Sequence, residues 1–190
     1  MKHFFDIGGN NGQTFDYLRT LNNSYKDYLF WIFEPSPRHY EKLLKKCAEM
    51  ASTYKINICP FGLSSRTEIR HFMEKDDLMG DSFHEKLRSD HEVTNVDNGY
   101  KVMASVVSIT EFILKHTLPN DQIVLDIDTE GSEYEILNDL ISSDVVSNRI
   151  TEIMVEWHFI EESDMIITPD ELTQFCNSKN IRITHRGCAV

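Results

Sequence analysis

The feature that most constrains this chain is its alternation of short apolar runs with amphipathic helical stretches. Apolar runs at residues 3–7, 28–33, 56–59, 102–107, 122–127, 149–157 and 181–184 are separated by segments of helical character. After residue 37, Tyr40, Leu43, Leu44 and Cys47 fall on one helix face, and after residue 132 so do Ile136, Leu137, Leu140 and Ile141. Residues 66–73 are a further candidate strand. Runs that stay apolar throughout belong to strands buried on both faces, and helical connections carry the chain from one parallel strand to the next. The rhythm therefore predicts an α/β fold, a doubly wound, mostly parallel sheet with helices on both faces. Ser108 with Glu111 and Ser132 with Glu135 have the Ser-x-x-Glu spacing of a helix start, and Thr168-Pro169 opens a helix over 169–178.

A length of 190 residues fits one domain, 1–190, able to bury roughly 70% of its unfolded surface without disulfide or metal staples. Residues 74–100 break the rhythm and are too long for an ordinary connection, so a lid or surface insertion is expected there. Asp76, Asp77, His84, Arg88 and His91 in it read first as charge-rich surface and second as groups able to pair with a polar acceptor. Lys plus Arg number 19 and Asp plus Glu 31, giving 19 − 31 = −12. That charge repels phosphate backbones and anionic lipid, so no nucleic acid and no membrane partner is expected. Lys42, Lys45 and Lys46 have helical spacing and read as a solvated face. There is no run of 18 apolar residues and no signal-peptide pattern at the N-terminus. Cys47, Cys59, Cys176 and Cys188 form no C-x-x-C and no zinc spacing, which suits reduced thiols in a cytoplasmic protein. No feature specifies an oligomeric state.

The strongest local signal follows the first run: Asp6-Ile7-Gly8-Gly9-Asn10-Asn11-Gly12. Glycines between a strand and a helix permit a sharp turn and close approach of a ligand to the backbone. A dinucleotide fingerprint needs glycine at 8, 10 and 13, where this chain has Gly8, Asn10 and Gln13, so a nicotinamide site is disfavoured. Glu34 ends the second run, 22 residues after Gly12, where an acid in nucleotide-binding α/β folds accepts from two ribose hydroxyls. With no phosphate-binding lysine in the loop, the ligand class left is adenosine without a pyrophosphate.

Here the chain resembles the FkbM family of S-adenosylmethionine-dependent methyltransferases. Its Asp-Val-Gly-Ala-Asn-x-Gly-like loop is matched by Asp6 to Gly12, and its Phe-Glu-Pro-x-Pro by Phe33-Glu34-Pro35-Ser36-Pro37. A Leu-Ser pair is matched in Gly62-Leu63-Ser64, and Lys-x-Asp-x-Glu-Gly-x-Glu in part by Asp126 to Glu133. An acid near the end of the fifth strand is matched by Glu156. The resemblance implies a seven-stranded-type sheet, shortened at the C-terminus because only residues 181–190 remain to close it. It implies S-adenosyl-L-methionine as cofactor, with Gly8, Asn10 and Gly12 along the methionine moiety and Asp6 supporting the loop. It implies Glu34 on the ribose and Gly62, Leu63 and Ser64 by the adenine, with Gly9, Asn11, Pro35 and Asp126 in the same lining. Two positions depart from the pattern. Gly9 replaces the usual alanine, a benign change, and Asp126 replaces the usual lysine, adding negative charge.

Asp126, Asp128, Glu130, Glu133 and Glu135 lie within ten residues, and strand alternation puts Asp126 and Asp128 on one side. Three readings of this block stand side by side: acids favoured at a helix N-terminus, oxygen ligands for a divalent cation, or a surface for substrate hydroxyls and the sulfonium. No metal is predicted. Glu156-Trp157-His158 ends the neighbouring run, with Trp157 expected in the core. His158 is the expected catalytic base, with Asp128 and Glu130 beside it, because a hydroxyl acceptor needs its proton removed in the transition state. The expected function is O-methylation of a hydroxyl on a sugar, glycan or other small polar substrate, a class implied by the resemblance. The alternatives are a metal-assisted enzyme of the same fold and a non-catalytic module that binds S-adenosylmethionine.

Overall fold

The structure is a computed structural model that describes residues 1–20, 25–75, 81–84, 86–89, 92–95, 99–158 and 166–186, with the backbone alone at 19, 86–89, 92–95 and 99. In chain order the first half contains β1 (Lys2–Ile7), α1 (Thr14–Thr20), β2 (Leu29–Phe33), α2 (Tyr40–Met50), β3 (Lys55–Cys59), β4 (Gly62–Ser64) and β5 (Glu68–Lys75). Then come β6 (Lys86–Ser89), β7 (Glu92–Asn95), β8 (Gly99–Ser108), α3 (Ile109–His116), β9 (Gln122–Ile127), α4 (Glu133–Ile141), α5 (Asp144–Ser147), β10 (Ile150–Glu156), α6 (Pro169–Lys179) and β11 (Arg182–Arg186).

Six strands pair in the order β11-β10-β9-β1-β2-β3, every pairing parallel. Successive residues of a strand face opposite sides. Phe4, Phe30, Val124 and Met154 pack with Phe15 and Leu18 of α1 and Leu43 of α2. Phe5, Phe33, Leu125 and Ile153 pack with Phe112 of α3, Ile136 of α4 and Leu172 of α6. Both faces are thus covered, which is why the runs carry no polar alternation. Each fully buried Phe among them contributes roughly 1.5–3 kcal/mol. The expected doubly wound α/β sheet is the one observed. Among the described residues this sheet has six strands.

The candidate strand at 66–73 is β5, and it belongs to a second sheet of order β4-β8-β5. Much of the interrupting segment 74–100 is ordered into strands: the ends of β5 and β8, and the antiparallel pair β6–β7. Between them Ser82 bridges back to Met73, and the Phe83 ring packs 4.7 Å from Phe72. Asp76, Asp77, His91, Cys188 and the side chain of Arg88 lie outside the described residues.

Helix starts follow the sequence signals at two places and not at a third. Ser108 accepts from the Glu111 N–H at 3.2 Å, and Thr168 with Glu171 closes a full capping box. Ser132 makes no cap bond, because its own backbone is already helical at φ −80° and ψ −6° rather than extended; the Glu135 carboxylate is held in a two-pronged pair with Arg70 of β5. Cys47, Cys59 and Cys176 are buried free thiols that burial pushes up to about 11, so they are poor nucleophiles. No described helix is long and apolar enough to cross a membrane.

The chain winds outward from β1 to β3 and then returns to place β9 against β1. That reversal opens a crevice beyond the carboxyl ends of β1 and β9, where open α/β sheets bind ligands.

Candidate active site

The crevice is built first by backbone. Leaving β1, the N–H groups of Gly8 and Gly9 both donate to the Phe33 carbonyl at 3.0 Å, tying the loop to the end of β2. Gly8 has φ 90°, and a Cβ there would fall on the Asp128 carbonyl oxygen, so β1 and β9 can exit side by side only with glycine at this position. Asn10 is also left-handed, at φ 45°, which turns its N–H onto Glu34 Oε2 at 2.8 Å. The Ser36 N–H donates to the other oxygen, Oε1, at 2.7 Å. Burial raises the Glu34 pKa, while the N–H of Ser36, the His39 charge and the N–H of Asn10 oppose the rise. Each oxygen keeps lone-pair capacity for a further donor.

The other loop residues take different places. Asp6 lies beneath the loop and accepts from the Thr14 hydroxyl at 2.9 Å. Gly12 packs on Lys46 and Leu43 of α2. Gly9 differs from expectation: the space an alanine Cβ would need is filled by the Ile32 Cγ2 methyl, so the exchange is coupled to Ile32.

A cavity of about 390 Å³ runs along these strand ends, within the range of small-molecule sites. Its wall takes Gly8, Gly9, Asn10, Glu34 and Pro35 from the segments after β1 and β2, Gly62, Leu63, Phe72 and Phe83 from the second sheet and the bridge beside it, and Asp128, Glu130, Glu156 and Arg186 from the carboxyl ends of β9, β10 and β11; Gly8 lies directly against the Asp128 carbonyl. Asp6, Asn11, Gly12, Ser64, Asp126 and His158, also expected at the site, do not form its wall. The sequence reading did not single out Tyr17, His39, Phe72, Asp81, Phe83, Ser132 or Arg186, which do. Phe83 was visible only as an isolated apolar residue in a polar stretch. Asp81 reaches the wall by pairing with His39 Nε2 at 3.1 Å and accepting from the Lys75 N–H at 2.7 Å. The Ser132 hydroxyl, 1% exposed, lines the cavity with no hydrogen-bond partner among the described residues. An orphaned buried hydroxyl in a cavity wall is a site for a ligand's polar atom.

The carboxyl ends of β9, β10 and β11 are crowded with charge. Asp6 and Asp126 are direct neighbours in the β1–β9 register, and Asp126 is ion-paired to Arg186 of β11. Burial raises Asp6 well above the carboxylate range, with the Asp126 charge adding to it. Burial likewise carries Asp126 to about 7 against the pull of Arg186. Burial and then Glu156 push Asp128 up to about 6. Glu130 is raised too, chiefly by burial. Its backbone is left-handed at φ 52°, an uncommon state for a non-glycine residue, and its carbonyl accepts from the Ser82 hydroxyl at 2.5 Å.

His158 is oriented from behind. Fully buried Glu133 accepts the His158 backbone N–H at 2.6 Å and lies 3.2 Å from Nδ1. Nε2 then faces forward, 3.5 Å from Glu130 and 3.8 Å from Asp128. Burial lowers the His158 pKa, but the Glu133 bond and the charges of Glu133, Glu130 and Asp128 outweigh it and hold it at about 9. Asp128, Glu156 and His158 each offer a ligand atom within 4.8 Å of the others, close enough to hold a metal ion. Trp157 is core, 5% exposed, and donates to His185 at 2.8 Å.

Comparison with known proteins bears on this arrangement. No curated protein matches the chain. Among solved structures, methyltransferase FkbM from Methylobacillus flagellatus KT is similar, with 15% sequence identity and a TM-score of 0.47. The match covers 80% of this chain and 33% of that one, so this chain spans about a third of that protein. The profile of the Methyltransferase FkbM domain matches residues 6–182, nearly the whole chain. The chain belongs to the FkbM methyltransferase domain family.

Proposed function

We propose that this protein is an S-adenosylmethionine-dependent O-methyltransferase acting on a hydroxyl of a sugar, glycan or other small polar molecule. The observation that carries this is one cavity whose wall holds both a ribose-type carboxylate, Glu34, and the acids Asp128 and Glu130, whose pKa values are raised. The donors present fit the cofactor: Glu34 retains acceptor capacity for ribose hydroxyls, Phe72 and Phe83 offer faces for a flat base, and Ser132 offers an unspent hydroxyl. When bound, the cofactor supplies a methyl group activated on a sulfonium.

The chain's own residues then position the acceptor and move its proton. A hydroxyl becomes a competent nucleophile as its proton leaves in the transition state. Asp128, held at about 6, is largely ionised at neutral pH and so available as the base. His158, the base expected from the sequence, already carries its proton at neutral pH; it serves better as the cation that offsets Asp128 and Glu130. An acidic wall suits a cationic sulfonium and neutral hydroxyls and disfavours a polyanionic acceptor.

Calorimetry with S-adenosylmethionine, followed by a methyl-transfer assay over a glycan panel, tests this. Binding with transfer to a hydroxyl is expected. Binding without transfer to any acceptor favours a non-catalytic module, and no binding overturns the reading.

The clustering of Asp128, Glu156 and His158 supports a second reading, a metal-assisted enzyme in which a divalent cation replaces Asp128 as the activator of the hydroxyl. Activity abolished by a chelator and restored by a divalent cation favours it; chelator-insensitive turnover rejects it.

A further inference from the structure

The cavity wall is acidic where β9 and β10 end, at Asp128, Glu130 and Glu156, yet the cofactor proposed above has an α-amino acid arm whose carboxylate needs a cation. Arg186 meets that need. It comes from β11, three strands away from β1, and its guanidinium reaches back across β10 to pair with Asp126 on β9. Asp126 is 2% exposed, so this buried acid braces the guanidinium from beneath. The Tyr17 ring of α1 lies 5.9 Å from it on another side, within cation–π range. Held this way, Arg186 forms part of the cavity wall, with its side chain still 23% exposed. Its Nε is buried and donates no hydrogen bond among the described residues, so Asp126 does not spend all of the guanidinium's donors.

Beside it stands the opposite charge. Glu156 is the register partner of Arg186 on the adjacent strand and lines the same cavity. Its carboxylate makes no hydrogen bond or ion pair among the described residues. Strand alternation puts a cation and an anion next to each other on one face at the carboxyl edge. This pair complements a zwitterion. A carboxylate matches the planar fork of a braced arginine, and an ammonium matches the neighbouring acid.

We propose that Arg186 binds the α-carboxylate of the cofactor's amino acid arm, with Glu156 receiving its ammonium group. This rests on the cofactor reading of the cavity. A carboxylate on an acidic acceptor would meet the same guanidinium, so the test separates the two sources. Two ligands share the adenosyl part and differ in the arm: S-adenosylhomocysteine carries the amino acid and 5′-methylthioadenosine lacks it.

Calorimetric titration of both into the full chain and into Arg186→Gln and Arg186→Lys is the experiment. The wild type should bind S-adenosylhomocysteine more tightly than 5′-methylthioadenosine. Arg186→Gln should weaken the first by tenfold or more and leave the second within about twofold, and Arg186→Lys should fall between. S-adenosylhomocysteine binding unchanged in Arg186→Gln overturns the proposal and leaves an acceptor carboxylate as the partner of Arg186. Equal weakening of both ligands overturns it in favour of a structural brace. If the wild type binds neither, the cofactor reading itself fails and this assignment goes with it.

Discussion

Asp121 and Asp128 stand at the two ends of β9, and the fold treats them oppositely. At the amino end, burial would raise Asp121, but the Leu118 N–H at 2.8 Å, the chain's amino group and His3 at 3.1 Å together hold it at about 2. At the carboxyl end, Asp128 is raised to about 6 and Asp126 to about 7, because burial and neighbouring acids outweigh His158 and Arg186. One acid gains stability from its ionisation and the others lose it. The same sheet therefore has an amino edge where charges are matched and a carboxyl edge where they are left in excess. Acids raised beside one another at the carboxyl edge, against an acid held low by its partners at the amino edge, mark the carboxyl edge as the candidate site.

The largest expected effect comes from removing charge at the carboxyl edge. Asp128→Asn should lower turnover by about 100-fold or more, as loss of a general base does. It should also raise the melting temperature, because a like charge is removed from a crowded wall. The sign follows from the folded pKa of about 6 lying above 3.8: the stability from this group is present below about pH 4 and lost as pH rises through 6. The gain in melting temperature should thus grow from pH 5 to pH 8. Turnover and melting temperature falling together would erase the contrast between the two edges.

Asp121→Ala should do the reverse. Losing an acceptor that serves a backbone N–H and His3 costs about 2 kcal/mol, or roughly 4–8 °C in a domain of this size, with turnover of the folded protein unchanged. Its ionic stabilisation is present above pH 4 and lost as pH falls through 2, opposite in sense to that of Asp128. A turnover defect in this variant would mean that the amino edge also serves the site.

A smaller effect separates the two signs within the carboxyl edge. His158 has a folded pKa of about 9, above 6.5, so its contribution is present below pH 6.5 and lost as pH rises through 9. His158→Gln should therefore be less stable than the wild type at pH 6 and approach it at pH 9, followed by thermal melts across that range. The smallest effect is expected at Gly9→Ala, about 1–2 kcal/mol of overpacking against Ile32. A neutral result in melts would show that Ile32 yields.

The sheet was legible in the sequence because each strand announces itself locally: Phe4-Phe5, Phe30 to Phe33 and Ile123 to Leu125 are apolar on both faces. The loop at Gly8 and the acid Glu34 were legible for the same reason, since φ at Gly8 and the end of β2 are local facts. Glu130 and His158 could be grouped because β9 and β10 are neighbours. Arg186 could not be found this way. Its partner Asp126 lies 60 residues away, and nothing near residue 186 signals a reach across β10. Ser132 misled for another reason: its Ser-x-x-Glu spacing signals a cap, but its backbone is already helical, so the hydroxyl makes no cap bond and lines the cavity instead, while Arg70 of the second sheet holds the Glu135 carboxylate. Phe83 was hidden in a polar stretch, and only the bridge between Ser82 and Met73 brings it over Gly62. Local grammar carried the Gly8 and Glu34 part of the crevice, and tertiary capture built much of the rest.

The most direct test is a crystal structure of the protein with S-adenosylhomocysteine bound. The ribose hydroxyls should lie within hydrogen-bond distance of the Glu34 carboxylate, with the sulfur turned toward Asp128 and Glu130. A ligand whose ribose sits away from Glu34, or a cavity that stays empty at saturating concentration, would contradict the assignment of this crevice as a methyl-donor site.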